Sequence, residues 1–387
     1  MKLGMSDSVA IAIGYIAYLI LLIGVCASKN YKITKVWYLF ALLFVLSLAN
    51  MAYHLVPNKS LDVYRLLNVV DEMRSSQRSA LSLILEGAGD QYGGLITFNL
   101  LCYVVSIIGN QWLPTISVLV TGSLLLYVIV TFLMSKEYPC IALLPAICMT
   151  FMGLQVHYIF SGIRNGMAVS MTVFALYQMY RYNRVIISSV IIYAFAIMMH
   201  PVVVIVAPVL CIAVYGKYQK IYRMIALLAI PIIFAVAQVL TTIPNTLLQY
   251  IGNRTYYYEN HNYAADRPEM IANIAMFFAI GLGYWWLHRE NCFERQSTTE
   301  AAYTNFYYLM GFVMVGCVMK RDFINRIGYV MGILSVPLLC QIFWGIKKNK
   351  LTQNVKVIRG ALALSIVACC GKVFYDTLYV LTRWSFE

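Results

Sequence analysis

The sequence predicts an all-α, polytopic integral membrane protein, and three observations carry that reading. Of 387 residues, 61% are hydrophobic and only 12% are charged, against about 45–50% and about 25% in soluble domains. The mean hydropathy is +0.73. The apolar residues fall in continuous runs rather than in the period-two alternation of a membrane barrel strand. Such a chain lacks the polar surface to cover a water-soluble body, which excludes soluble enzymes. The excess of 29 Lys+Arg over 16 Asp+Glu, a net charge of +13, belongs to cytoplasmic loops rather than to a nucleic-acid surface.

Taken in order, apolar runs near 8–28, 36–54, 95–109, 113–134, 139–160, 164–180, 185–199, 201–215, 224–243, 270–287, 303–319, 327–345 and 360–380 are the candidate spans. At roughly 20 residues per crossing they amount to about 11–14 transmembrane helices. The first run, Val9–Cys26, is long enough to remain as a span rather than a cleaved signal. No repeat or low-complexity linker divides the chain, so residues 1–387 read as a single transmembrane domain. The ten cysteines lie mostly in apolar stretches without C-x-x-C spacing, and read as small core residues.

Orientation follows from the Lys/Arg bias of short connections. Lys29, Lys32 and Lys35 stand in one acid-free connection, Arg181 and Arg184 in another, and Lys217, Lys220 and Arg223 in a third. Lys347, Lys348, Lys350, Lys356 and Arg359 form the strongest case. All four are placed in the cytoplasm. The long connections near 55–94 and 244–269 carry most of the acidic residues between spans, among them Asp62, Asp71, Glu86 and Glu259, and are placed outside. Counting from the two ends gives opposite parity between 95 and 163. A re-entrant segment around Ser79–Leu85 or a broken span within 139–162 would resolve it.

Charged side chains at membrane depth are costly and mark sites or partners. The predicted topology brings Arg164, His200, Arg254 and Arg326 from four separate segments to one outer face. Guanidinium groups make planar, bidentate contacts with phosphate oxygens, so such a set suits a lipid-linked pyrophosphate as ligand and leaving group. A histidine or carboxylate beside it could take a proton from an attacking hydroxyl. Tyrosines of the outer loop, including Tyr250, Tyr256 and Tyr258, offer flat faces to sugars or form an interfacial belt. Each has a plainer reading as well. Arg164 could snorkel to headgroups, and His200 before Pro201 could satisfy a carbonyl freed by the helix break. Lys372 and Asp376 read as an ion pair within the last span. No zinc-protease, P-loop or nucleophile-elbow motif is present.

An ordered set of features runs through the chain: Asp62-Val63-Tyr64, then Glu86-Gly87 and Tyr92-Gly93-Gly94 with Phe98 just beyond, and Ile163-Arg164-Asn165-Gly166-Met167-Ala168. His200 at a span end, Arg254 with Tyr258, and Arg326-Ile327-Gly328-Tyr329 before a Pro337-containing span complete the order. Together they resemble the EpsG-like branch of the Wzy-type polysaccharide polymerases. Asn165 stands where the family usually has Gln, and Pro201 where it has a small or hydroxyl residue. The resemblance implies a metal-independent, cofactor-free glycosyltransferase of GT-C-like architecture, in the inner (plasma) membrane with its site facing the periplasm or exterior. It would polymerise undecaprenyl-pyrophosphate-linked oligosaccharide repeats into O-antigen, capsular or exopolysaccharide chains, with membrane lipid around it and a chain-length-determining co-polymerase as partner. Arg164, Arg254 and Arg326 would hold pyrophosphate, His200 would be the proton acceptor with Asp62 as the alternative base, and Tyr256 and Tyr258 would meet sugar. A polysaccharide ligase, a membrane acyltransferase of glycans, and a transporter or flippase of lipid-linked glycan are the competing functions. The last would place charges deep in a central cavity rather than at one mouth.

Overall fold

The computed structural model describes residues 31–56, 59, 61–88, 92–134, 159–260, 267–293, 298–381 and 385–386. The candidate spans near 8–28 and 139–160 lie outside these residues, apart from the last two positions of the second. The described residues are helical almost throughout. Helices α1 (Tyr31–Tyr53), α2 (Asp62–Ser75), α3 (Ala80–Glu86), α4 (Ile96–Ile108) and α5 (Trp112–Met134) make the first half. After the gap come α6 (Ile163–Tyr182), α7 (Ile187–Met199), a 3-10 turn (Pro201–Ile205), α8 (Val206–Tyr215), α9 (Gln219–Ala226), α10 (Ala229–Thr242) and α11 (Thr246–Asn260). Then follow α12 (Arg267–Arg289), α13 (Thr298–Gly316), α14 (Arg321–Leu334), α15 (Val336–Trp344) and α16 (Gln353–Leu381). Strands β1 (Leu55–Val56) and β2 (Ser385–Phe386) form a two-residue antiparallel pairing that ties the end of the chain to the exit of α1.

The predicted all-α class is what the structure has, and the candidate spans that fall within the described residues coincide with helices. Length is where the two differ. Among the described residues, Met270–Arg289 and Phe323–Phe343 are long and apolar enough to cross a membrane, and the bent pair α9–α10 is a third if it counts as one span. Helices α4, α7 and the 3-10 turn with α8 are apolar but shorter. Thirteen residues of α4 rise roughly 20 Å, whereas the hydrocarbon layer is roughly 30 Å thick. The run near 224–243 is not one straight rod, because α9 and α10 meet at 77°.

Both long connections, near 55–94 and 244–269, contain helices. In α2, Val63, Leu66, Val69, Val70 and Met73 are buried at three- and four-residue spacing, so one stripe docks on α4 while the polar face carries ion pairs. The segment proposed as re-entrant, Ser79–Leu85, is the short helix α3. Its N-cap Ser79 accepts from the Ser82 amide, and it lies along α4. The connection 244–269 holds α11, which packs back on α10.

At the centre stands the α14–α15 rod. Most of Phe323–Phe343 is buried, whereas less than half of Met270–Arg289 is, leaving Leu282, Trp285 and Trp286 facing outward as lipid-facing residues would. Gly328 lets α14 approach α12, because a Cβ there would overlap the Asn273 side chain. Helix α6 packs against α5, α7, the 3-10 turn and α14, so it joins the two halves. Cys102, Cys292 and Cys317 are buried thiols.

Candidate active site

Arg164 begins the site. It is the second residue of α6, which starts after Gly162 without a side-chain cap. The positive end of a helix dipole therefore adds to the guanidinium charge. The guanidinium carbon lies 4.8 Å from the Tyr92 ring centroid and 5.1 Å from that of Phe98, and Nη1 donates to the Tyr250 hydroxyl at 3.3 Å. Nε is sealed from solvent and, among the described residues, has no hydrogen-bond partner. No carboxylate among those residues pairs with it. The next residue, Asn165, is 7% exposed, and neither its amide nitrogen nor its oxygen has a partner among the described residues.

The aromatic cradle is positioned by residues far apart in sequence. Asn99 on α4 donates to the carbonyls of Ile84 (3.2 Å) and Tyr92 (3.0 Å), fixing α3 and the Tyr92 turn to one side chain. Gly94 has φ of +80°, and a Cβ there would fall 2.6 Å from the Leu247 backbone. Glycine at this point brings the turn against α11, one turn of helix before Tyr250.

Asp62 opens α2 and pairs with Arg65. It is close enough to Arg164 and to Tyr92 to act electrostatically on both. Glu86, quoted in the resemblance, pairs with Arg78, and Arg78 also donates to the Gly87 carbonyl at 3.0 Å. That pairing makes Glu86–Gly87 a brace for the loop.

His200 caps the end of α7 and is 9% exposed. Its Nδ1 accepts from the Val202 amide at 3.1 Å, and its Nε2 lies 3.4 Å from Arg326 Nη1. Arg164 also acts electrostatically on the ring. Arg326 comes from α14. The structure thus brings together Arg164, His200 and Arg326 on three different helices, with Asp62 at the edge. Arg254 lies one helical turn beyond Tyr250 on α11, and Tyr258 one turn further; their side chains are outside the described ones. Tyr256 is 50% exposed on the same helix. The Lys372–Asp376 side chains also lie outside the described ones.

Sequence reasoning missed three contributors. Asn99 was legible as an isolated amide in an apolar run, which needs a partner there. Arg65 was legible at three residues from Asp62. Tyr250 was noticed as a surface for sugar, but no local pattern marks it as the partner of an arginine 86 residues away.

The chain matches the EpsG family over residues 96–382, about three quarters of its length. It belongs to the EpsG family. Neither a curated protein nor a solved structure matches it. Membership places this membrane protein in polysaccharide biosynthesis. Arg164, His200, Tyr250, Arg254 and Arg326 lie within the matched residues, whereas Asp62, Arg65 and Tyr92 precede them.

Proposed function

We propose that this EpsG-family protein is a Wzy-type polymerase, which moves a growing glycan from one undecaprenyl-pyrophosphate carrier onto the next lipid-linked repeat at the outer leaflet. The observation that carries this reading is Arg164. A guanidinium with a solvent-sealed Nε, set over two aromatic rings and bonded to the Tyr250 hydroxyl, has no ion-pair partner among the described residues, although charges in apolar surroundings are normally paired. Arg326 and the N-terminus of α6 add positive potential beside it. The missing counter-charge fits a pyrophosphate.

In the reaction, the acceptor sugar hydroxyl forms a bond to the anomeric carbon of the donor as the bond from that carbon to the pyrophosphate oxygen breaks. The electron pair leaves with the lipid pyrophosphate, whose developing charge the arginines stabilise, and the hydroxyl proton passes to a base. The lipid pyrophosphate supplies the driving force. Aromatic faces on Arg164 exclude water from one side of the fork and strengthen its contact with the leaving group. Arg254, one turn from Tyr250 on α11, is assigned as the third arginine of the clamp, and Tyr256 and Tyr258 of the same helix are assigned to the sugars. A GT-C-like arrangement and a plasma-membrane location with the site outside belong to the same proposal.

The gene's deletion tests it. A strain lacking this protein is expected to keep surface glycan of single-repeat length and lose long chains. Total loss of surface glycan would instead assign export or ligation.

A further inference from the structure

His200 and Arg326 present a contradiction that a bound anion resolves. The Val202 amide is an obligate donor, and it points at Nδ1 of His200 at 3.1 Å. Nδ1 must therefore be the unprotonated nitrogen, since a proton there would set two donors against each other. A neutral ring with a bare Nδ1 carries its proton on Nε2. Yet Nε2 lies 3.4 Å from Arg326 Nη1, and a guanidinium has donors only. Two N–H groups from different helices thus face the same small space, with Arg164 within electrostatic reach of the ring. Full protonation of the ring does not relieve the conflict, because it would put a third positive charge beside two guanidiniums and a proton on Nδ1.

The ring has little freedom to choose otherwise. His200 has extended backbone angles (φ −154°, ψ 121°) at the junction of α7 and the 3-10 turn, and Pro201 follows it at the first position of that turn. The side chain accepting from Val202 is the cap of that turn. Turning the imidazole over would leave a half-buried amide without this acceptor. On α6, Asn165, next to Arg164 in sequence, is also buried with both polar atoms unpartnered among the described residues.

We propose that His200 serves as a neutral Nε2–H donor which, with the Arg326 guanidinium, grips a phosphate oxygen of a polyprenyl pyrophosphate, and that it is not the base. The inference rests on the polymerase reading above and reassigns one role within it. The proton of the attacking hydroxyl then goes to a carboxylate. Among the described residues the carboxylate acting on Arg164 is Asp62, which pairs with Arg65. Asp62 has to exchange that partner for the acceptor hydroxyl as substrate enters. His200 holds the leaving group on one side of the breaking bond while Asp62 receives the proton on the other.

Two substitutions separate the functions of the ring. In His200→Asn the short amide oxygen can still cap Val202, but nothing reaches the Nε2 position. In His200→Gln the longer amide places an N–H near that position and cannot titrate. The full-length protein, in nanodiscs of zwitterionic lipid, is titrated with undecaprenyl pyrophosphate, with inorganic pyrophosphate and phosphatidylglycerol as competitors. Turnover of a lipid-linked repeat is measured alongside. The expected result is that His200→Asn weakens undecaprenyl-pyrophosphate binding about 10- to 100-fold, the worth of one charge-assisted hydrogen bond. His200→Gln is expected to bind within about threefold of the parent, a change smaller than one such bond, and to retain turnover. Inorganic pyrophosphate should compete and phosphatidylglycerol should not.

Unchanged binding in both variants with turnover lost in both would make His200 the base and overturn the proposal. Displacement by phosphatidylglycerol would make the cluster a headgroup site and also overturn it. Failure of the parent itself to bind undecaprenyl pyrophosphate would overturn the polymerase reading first. An independent readout needs no substrate. In ¹⁵N-histidine-labelled protein, the ring signals that vanish in His200→Gln should show a bare Nδ1 and a protonated Nε2. The opposite tautomer would overturn the inference whatever the binding data show.

Discussion

Arg164 sits over the adjoining rings of Tyr92 and Phe98 with a hydroxyl on its Nη1, and that geometry depends on a flat, forked cation. Lysine keeps the charge but offers neither the fork nor the stacking plane. Arg164→Lys is therefore expected to lower long-chain glycan at least tenfold, about the worth of one charge-assisted bond, at equal protein level. Glycan profiling of complemented cells measures it, and near-normal chains would reduce Arg164 to a headgroup anchor. Gly94 makes a different demand. At φ +80° and 2.6 Å from the Leu247 backbone for any added Cβ, Gly94→Ala should cost about 1–3 kcal/mol. Thermal unfolding of the solubilised protein checks this, and the loss should be accompanied by weakened polymerisation because Tyr92 and Tyr250 would move apart.

Helices and their junctions carry the next level of the argument. Asn99 serves two carbonyls on different segments, so Asn99→Leu takes the donor from the Ile84 carbonyl and leaves that of Tyr92 with the Leu95 amide alone, which should destabilise the α3–α4 corner by about 1–3 kcal/mol. An unchanged melting temperature would show that water replaces the amide. This is also the scale at which sequence and structure diverge most clearly. The apolar runs located the helices because hydropathy depends on composition alone. They did not give helix lengths, since a short apolar helix buried among neighbours and a full crossing have the same composition. They could not show that 224–243 bends by 77°. The breaks at Leu227–Leu228 and Ser335 have no glycine, and the prolines Pro231 and Pro337 lie just past them. Helices α2, α3 and α11 were hidden in segments whose acidic and aromatic content marked them as outer loops. The convergence of Arg164, His200 and Arg326 was legible, because it needed only the direction of each span. The contacts of Tyr250 and the hydrogen bond that orients His200 were not, since they depend on tertiary packing and on one backbone amide.

For the molecule as a whole, the account requires one face to hold the site and the other to hold the basic connections. Asn253 and Asn349 are both exposed, and the account puts them on opposite sides of that division. In a background without native cysteines, Asn253→Cys is expected to react with a membrane-impermeant maleimide added to intact cells. Asn349→Cys should react only after the membrane is opened. Reversed labelling would dissolve the shared outer face and the clamp with it. The most direct measurement for the central claim is reconstitution: the purified chain in lipid vesicles, supplied only with undecaprenyl-pyrophosphate-linked repeat units and analysed for glycan length. The account predicts a ladder of multiples of the repeat with release of undecaprenyl pyrophosphate, abolished by Arg164→Lys. Persistence of the single repeat with the parent protein, under conditions where it binds the donor lipid, would contradict it.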